Sequence, residues 1–308
     1  MILTICPNPS IDCTIELDSL NVGKLNKIDS KVETYSGKAL NVAIGIARLG
    51  AKSFATGFMF DDHGRMFEHV LDKEGVEHKF IYNKGSARVN YKIIDKRSML
   101  TEINDRGETV SLENQENLIN LVEGISPNFK IAVMSGSLPK GVDPEFYGNV
   151  LKKIPKDVKV IVDTEKSNML SAIGSREIFM AKPNQRELEN FVGEKVYTLN
   201  DMLKASYKYI DKGVKNVLVS LGADGAILTD GKESYFCKSA SVAVNSTVGA
   251  GDSMVAAACV GLIQDAPMQE ILKMSVAAGT ASVTTSGTNL FYKDKYQEIY
   301  SKIYTQKM

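Results

Sequence analysis

The stretch Val244-Asn245-Ser246-Thr247-Val248-Gly249-Ala250-Gly251-Asp252-Ser253-Met254 holds the residues best suited to chemistry. A loop of small residues runs straight into an apolar helix. Helix N-termini carry unpaired N–H groups and the positive end of the macrodipole, so they bind anions. Small residues let an anion come close to the backbone. Asp252 is conspicuous there, because a carboxylate repels the anion that such a loop attracts. Two readings fit it. One is an N-cap at the helix start. The other is a general base beside an anion hole, taking a proton from a hydroxyl that attacks a phosphoryl group.

Other anion-binding motifs fail on spacing. The dinucleotide fingerprint needs a third glycine where Met254 stands. No Walker A sequence occurs; the nearest approach, Gly45 to Gly50 followed by Ala51-Lys52-Ser53, is out of register and late in a helical stretch. Cys6 and Cys13 have no second pair or nearby histidine to complete a zinc site. With Cys237 and Cys259 they read as reduced, buried thiols of a cytoplasmic protein.

These residues need a scaffold. The 308 residues are 44% hydrophobic and 24% charged, which excludes disordered and fibrous classes, and 37 basic residues balance 37 acidic ones. Balanced charge removes the long-range attraction expected of a nucleic-acid or membrane-surface binder, so any anion must be held by a local site. The opening Met1-Ile2-Leu3-Thr4-Ile5-Cys6 reads as a buried strand rather than a signal peptide. The longest apolar run, Met254 to Ile263, is half of a bilayer span.

Beyond residue 36, short apolar strands alternate with helical stretches. Helices are predicted at Lys38 to Leu49, His63 to Lys73, Pro144 to Lys152 and Asp201 to Asp211. Strands are predicted at Ser53 to Met59, Ile131 to Met134, Val158 to Val162, Ile178 to Ala181 and Val217 to Ser220. The last third is helical: Asp252 to Ile263, Met268 to Val283 and Lys293 to Ile303. This pattern predicts an α/β fold, a doubly wound and mostly parallel sheet with helices on both faces, in one domain over 1–308. Residues 11–35 and 84–106 break the rhythm with strand-like alternation and no helices. In Ser86 to Ile94, Arg88, Asn90 and Lys92 share one strand face and Val89, Tyr91 and Ile93 the other. The two segments read as a small projecting β-layer, or else as an edge hairpin with a solvated polar face.

The loop at 246–254 resembles the carboxy-terminal signature of the ribokinase-like (PfkB) carbohydrate kinases, and more narrowly the branch of 1-phosphofructokinases and tagatose-6-phosphate kinases. Other motifs follow in family order: Pro7-Asn8-Pro9-Ser10-Ile11-Asp12, Gly37-Lys38-Ala39-Leu40-Asn41-Val42-Ala43, the Arg88 strand, Ser135-Gly136-Ser137-Leu138-Pro139, Lys182-Pro183-Asn184-Gln185-Arg186-Glu187, and Leu221-Gly222-Ala223-Asp224-Gly225. Ala39 departs from the pattern, standing where these kinases usually carry glycine.

The resemblance implies an ATP- and Mg²⁺-dependent kinase that turns a ketohexose phosphate into a bisphosphate, with fructose 1-phosphate as first candidate and tagatose 6-phosphate as alternative. It implies Asp252 as base, with the N–H groups of Gly249, Ala250 and Gly251 holding the transferring phosphoryl group. Asp12, Gly37 and Asn41 would meet the sugar. Lys38 and Arg88, and Lys92 with Ser137, would meet its phosphate, and the Arg88, Asn90 and Lys92 face of the β-layer would close over the substrate as a lid. Lys182, Asn184, Ser220, Gly222, Gly225 and Thr247 would face the nucleotide. Asn184 and Glu187 would place Mg²⁺ through water, although the same pair also fits an N-cap with glutamate at N3. The bland alternatives are a solvated strand-end lysine for Lys182 and a packed core group for Asp12. The exposed β-layer suggests a lid-to-lid homodimer. A catalytically silent sugar-phosphate sensor on the same fold is the rival from another class.

Overall fold

The computed structural model describes residues 1–97, 99–285 and 289–308. The first stretch runs β1 (Ile2–Cys6), β2 (Ser10–Leu17), β3 (Ser30–Ser36), α1 (Lys38–Arg48), β4 (Ser53–Asp62), α2 (Gly64–Lys73), β5 (Glu77–Ser86), β6 (Arg88–Asp95) and β7 (Leu100–Asn104). Then come α3 (Leu112–Ile125), β8 (Ile131–Ser135), α4 (Glu145–Leu151), β9 (Lys159–Asp163), α5 (Lys166–Ser175), β10 (Ile178–Ala181), α6 (Gln185–Val192), α7 (Leu199–Ile210) and β11 (Val214–Ser220). The chain closes with β12 (Ala226–Thr229), β13 (Ser234–Cys237), α8 (Ala250–Ile263), α9 (Met268–Ser282), α10 (Lys293–Tyr300) and β14 (Thr305–Lys307).

The large sheet has the order β14-β13-β12-β11-β10-β9-β8-β1-β4-β5. From β11 to β5 every pairing is parallel, and β12 to β14 add an antiparallel edge. Helices cover both faces, so central strands such as Ile2-Leu3-Thr4-Ile5-Cys6 and Ile131-Ala132-Val133-Met134-Ser135 are buried at every position. That burial explains their near-continuous apolar composition.

The second sheet has the order β3-β2-β6-β7, with a parallel centre and antiparallel flanks. The expected β-layer therefore exists, with one correction: residues 84–86 finish β5 of the large sheet, and the layer resumes at Arg88. The solvated-hairpin reading fails. Lys92 is buried and Asn90 half-buried, because their face turns onto a cleft instead of into water.

Two helices bring the key polar residues together. A Cβ on Gly45 of α1 would stand 2.7 Å from the Cβ of Ala256 in α8, so glycine is what allows this close crossing. One turn earlier on each helix sit Asn41 and Asp252. The crossing therefore presses those two side chains into contact.

Candidate active site

A cleft of 1230 Å³ opens at the carboxyl ends of the parallel strands, where open α/β sheets hold ligands. Its walls collect most of the residues singled out from the sequence. Asp12, Gly37, Lys38, Asn41, Arg88, Asn90 and Lys92 line it. Lys182, Asn184, Ser220, Gly222, Gly225 and Thr247 line it too, as do Gly249, Ala250, Gly251 and Asp252. Ser137 and Glu187 do not line it.

Asp252 is not a cap. The N-cap of α8 is Gly249, which takes a left-handed φ of 79° that glycine adopts without strain, and no side chain caps the helix. The first N–H groups of α8 have no intrahelical partner. Asp252 is the third helical residue, 6% exposed, and its Oδ2 accepts from Asn41 Nδ2 at 2.8 Å. Burial pushes its pKa up to about 6; Asp163 adds to the rise, while Lys38, Asn41 and Lys182 oppose it. Such a carboxyl is ionised near neutrality yet basic enough to take a proton. In the ligand-free protein a carboxyl resonance should titrate near pH 6 and vanish in Asp252→Asn; titration near pH 4 would remove the case for a tuned base.

The residue that sequence reasoning missed is Asp163, at the end of β9. It is buried and lies 3.5 Å from both Lys38 Nζ and Lys182 Nζ. Burial would raise its pKa, but Lys182 and Lys38 outweigh burial and hold it below the ordinary carboxylate value. Asp163, ahead of burial, in turn raises Lys38 above the usual lysine value, with Asp252 and Glu187 adding. Lys182 is also buried, and a Cβ on Gly251 would stand 3.1 Å from its Nζ, which puts the ammonium against the N-terminus of α8. The solvated-lysine reading of Lys182 therefore fails. Lys38 remains 42% exposed at its side chain and faces the cleft. A carboxylate closing a parallel strand was the available signal for Asp163. The wall that Val276, Gly279 and Thr280 of α9 contribute was also missed.

At the small-sheet end, Asp12 is buried in a polar network. It accepts from Asn90 Nδ2 at 3.0 Å, Ser10 Oγ at 3.4 Å and Ser36 Oγ at 3.3 Å, and pairs with Lys92 Nζ at 3.3 Å. Lys92 thus neutralises Asp12 in this state. Among the described residues Arg88 has no carboxylate partner: Nη2 donates to the Asn8 carbonyl at 3.4 Å, and Nε is buried and unpaired. Burial pulls its pKa down, with Cys6, Asp12 and Asp105 opposing. Ser137 Oγ accepts from Asn8 Nδ2 behind Arg88. Ala39 carries no conformational penalty, because it lies inside α1 with helical φ.

Gly225 has φ 106° and a Cβ there would stand 1.9 Å from the Cys237 carbonyl oxygen, so the turn of residues 222–225 requires glycine. Asn184 and Glu187 form a reciprocal capping box on α6: Glu187 N donates to Asn184 Oδ1 and Asn184 N donates to Glu187 Oε2, both at 2.8 Å. That leaves Glu187 Oε1 for a cation. Among the described residues no three acidic, histidine or cysteine side chains cluster to hold a metal directly. One free carboxylate oxygen fits a hard divalent ion that keeps most of its water.

The pfkB family carbohydrate kinase model matches residues 8–295. This chain belongs to that family. Within it, a 1-phosphofructokinase of Borreliella burgdorferi is 33% identical over 284 residues, 92% of this chain and 91% of the relative. A tagatose-6-phosphate kinase of Staphylococcus epidermidis is 30% identical over 306 residues, 98% of each chain. The solved structure of phosphofructokinase-2 from Escherichia coli in complex with substrates and products superposes with a TM-score of 0.91 at 30% identity, covering 98% of both chains. The kinase expectation and the fold expectation both stand, and membership makes ATP the donor with a divalent metal in attendance. Among the described residues no helix is long and apolar enough to cross a membrane, and all four cysteines are free and buried.

Proposed function

We propose that this kinase transfers the γ-phosphoryl group of ATP to a ketohexose phosphate, with fructose 1-phosphate giving fructose 1,6-bisphosphate as the principal reaction. The observation that carries this reading is Arg88: a half-buried residue with a buried Nε and, among the described residues, no carboxylate partner, on the wall of the cleft that Lys38 and Asp252 also line. A free sugar would leave Arg88 without an anion; a sugar phosphate supplies one. Tagatose 6-phosphate is the alternative acceptor, supported by the Staphylococcus epidermidis relative.

The roles follow from position. Asp252 takes the proton of the acceptor hydroxyl as that oxygen bonds to the γ-phosphorus and the bond to the bridging oxygen of ADP breaks. The N–H groups of Gly249, Ala250 and Gly251, with Lys182, receive the charge of the phosphoryl oxygens. Asn41 orients the Asp252 carboxylate, Asp163 holds Lys38 and Lys182 in place, and Asp12 and Asn90 meet sugar hydroxyls. Glu187, with Asn184, would hold Mg²⁺ through water, and the ion would neutralise charge between the phosphates. The residues from Ser220 to Gly225 and Thr247 border the nucleotide.

We read the small sheet as a lid inserted in one kinase domain. Its exposed Val32, Tyr91, Leu100 and Ile103 suit a lid-to-lid homodimer. Buried, unpaired thiols suit a reducing cytoplasm. The silent-sensor alternative lacks a reason for a tuned Asp252. The test is kcat/KM measured side by side for fructose 1-phosphate, tagatose 6-phosphate, fructose 6-phosphate and free fructose. Fructose 1-phosphate should lead and free fructose should be almost inert. Free fructose matching its 1-phosphate would overturn the reading, and no ATP consumption with any sugar would favour the sensor.

A further inference from the structure

Three polar side-chain atoms at the acceptor end are buried and unpaired among the described residues: Asn8 Oδ1, Arg88 Nε and Asn90 Oδ1. Two of them are complementary. Asn8 follows β1, is 4% exposed, and is tied by Nδ2 to Ser137 Oγ at 3.4 Å. Its backbone carbonyl already accepts from Arg88 Nη2 at 3.4 Å. In a planar guanidinium, Nε–H and one Nη2–H lie on the same edge and point the same way. That edge is therefore aimed at Asn8, which offers two acceptors and has one in use. A single point, the Cβ position of Gly107, lies 3.4 Å from Asn8 Oδ1, 3.4 Å from Arg88 Cβ and 3.8 Å from Arg88 Cδ, so both unpaired groups border the same small space. Burying a donor and an acceptor side by side without joining them costs free energy that a closed state can recover.

We infer that Asn8 is the positioning residue for Arg88. When acceptor phosphate draws the small sheet inward, Arg88 Nε–H moves onto Asn8 Oδ1 while Nη2 keeps the Asn8 carbonyl. Held along one edge, the guanidinium presents its Nη1 and Nη2 edge to the phosphate as a fixed fork. Asn8 touches neither substrate; it sets the angle at which Arg88 meets one. This rests on the reading that Arg88 receives the acceptor's phosphate.

The test is a double-mutant cycle read as kinetic constants. Asn8→Ala should raise the KM for fructose 1-phosphate about 10-fold, the low end for a hydrogen bond to a charged group, with kcat and the ATP KM within two-fold. In an Arg88→Lys background, which keeps the charge but has no Nε–H edge, Asn8→Ala should cost less than two-fold. An equal loss in both backgrounds, or a parallel rise in the ATP KM, makes Asn8 a structural residue and overturns the inference. So does an unchanged acceptor KM in the parent. Should Asn8→Ala unfold, Asn8→Asp replaces it: the near-isosteric carboxylate should trap Arg88 and raise only the acceptor KM, and an unmoved KM there also overturns the inference. If Arg88→Ala itself leaves the acceptor KM unmoved, the assignment of the phosphate site has failed, and this inference falls with it.

Discussion

Asp252→Asn should lower kcat by roughly 10²–10⁴-fold, the span of a positioned general base, while ATP still binds. The amide keeps the size of the side chain and can still accept from Asn41. Removing a negative charge beside the N-terminus of α8 cannot weaken its attraction for phosphate. Activity within a few-fold of the parent would strip Asp252 of the base role. The same variant should be more stable above pH 6. Burial raises the folded-state pKa of Asp252 from 3.8 to about 6, so the fold binds this proton more tightly than the unfolded chain does. The stability linked to that proton is complete below pH 4 and is lost as the pH rises through 6. At pH 8 the ionised carboxylate costs on the order of 2–3 kcal/mol, which asparagine does not incur. Melting curves of parent and Asp252→Asn should converge at pH 4 and separate at pH 8. A lower Tm for the variant at pH 8 would show that Asp252 is held by stronger contacts than its bond to Asn41.

Arg88→Ala should reduce kcat/KM for fructose 1-phosphate roughly 10–150-fold, the loss expected for a charge-assisted contact of about 1.5–3 kcal/mol. The effect should fall mainly on the acceptor KM. Arg88 belongs to β6 of the small sheet, and the reading above assigns the nucleotide to other residues of the cleft wall. The ATP KM should therefore stay near its parental value. Arg88→Lys should recover part of the loss, since it restores charge without the planar fork. A rise confined to the ATP KM would move Arg88 into the nucleotide site and leave the acceptor phosphate without its principal cation.

Much of the scaffold was legible because parallel strands covered on both faces leave continuous apolar runs, as Ile131 to Met134 and Ile178 to Ala181 do. The helix α6 was legible only as a motif: Gln185-Arg186-Glu187-Leu188-Glu189 is short and largely polar, and its start is written in the Asn184–Glu187 capping box. The strand β5 was partly merged with the small layer, because Lys84-Gly85-Ser86 has the same extended, polar character as the residues after it. Asp252 was ambiguous because the choice between cap and base turns on one backbone angle. The left-handed φ of Gly249 moves the cap three residues upstream and frees the carboxylate to face Asn41. Asp163 escaped notice because a buried aspartate means little until its lysines are known, and Lys38 lies 125 residues away in the chain.

The bond between Asn41 and Asp252 joins residues 211 positions apart. During synthesis, the first of these residues leaves the ribosome long before the second exists. Until α8 is made and has docked on α1, nothing buries the carboxylate, raises its proton affinity or holds phosphate beside it. Loop closure of this length is also late in folding, since its entropy must be recovered by contacts already formed. On the roles proposed above, a nascent chain would carry Lys38 and Lys182 without Asp252 to act as base, and it would not spend ATP. Competence for transfer should appear abruptly, in the same event that completes the core.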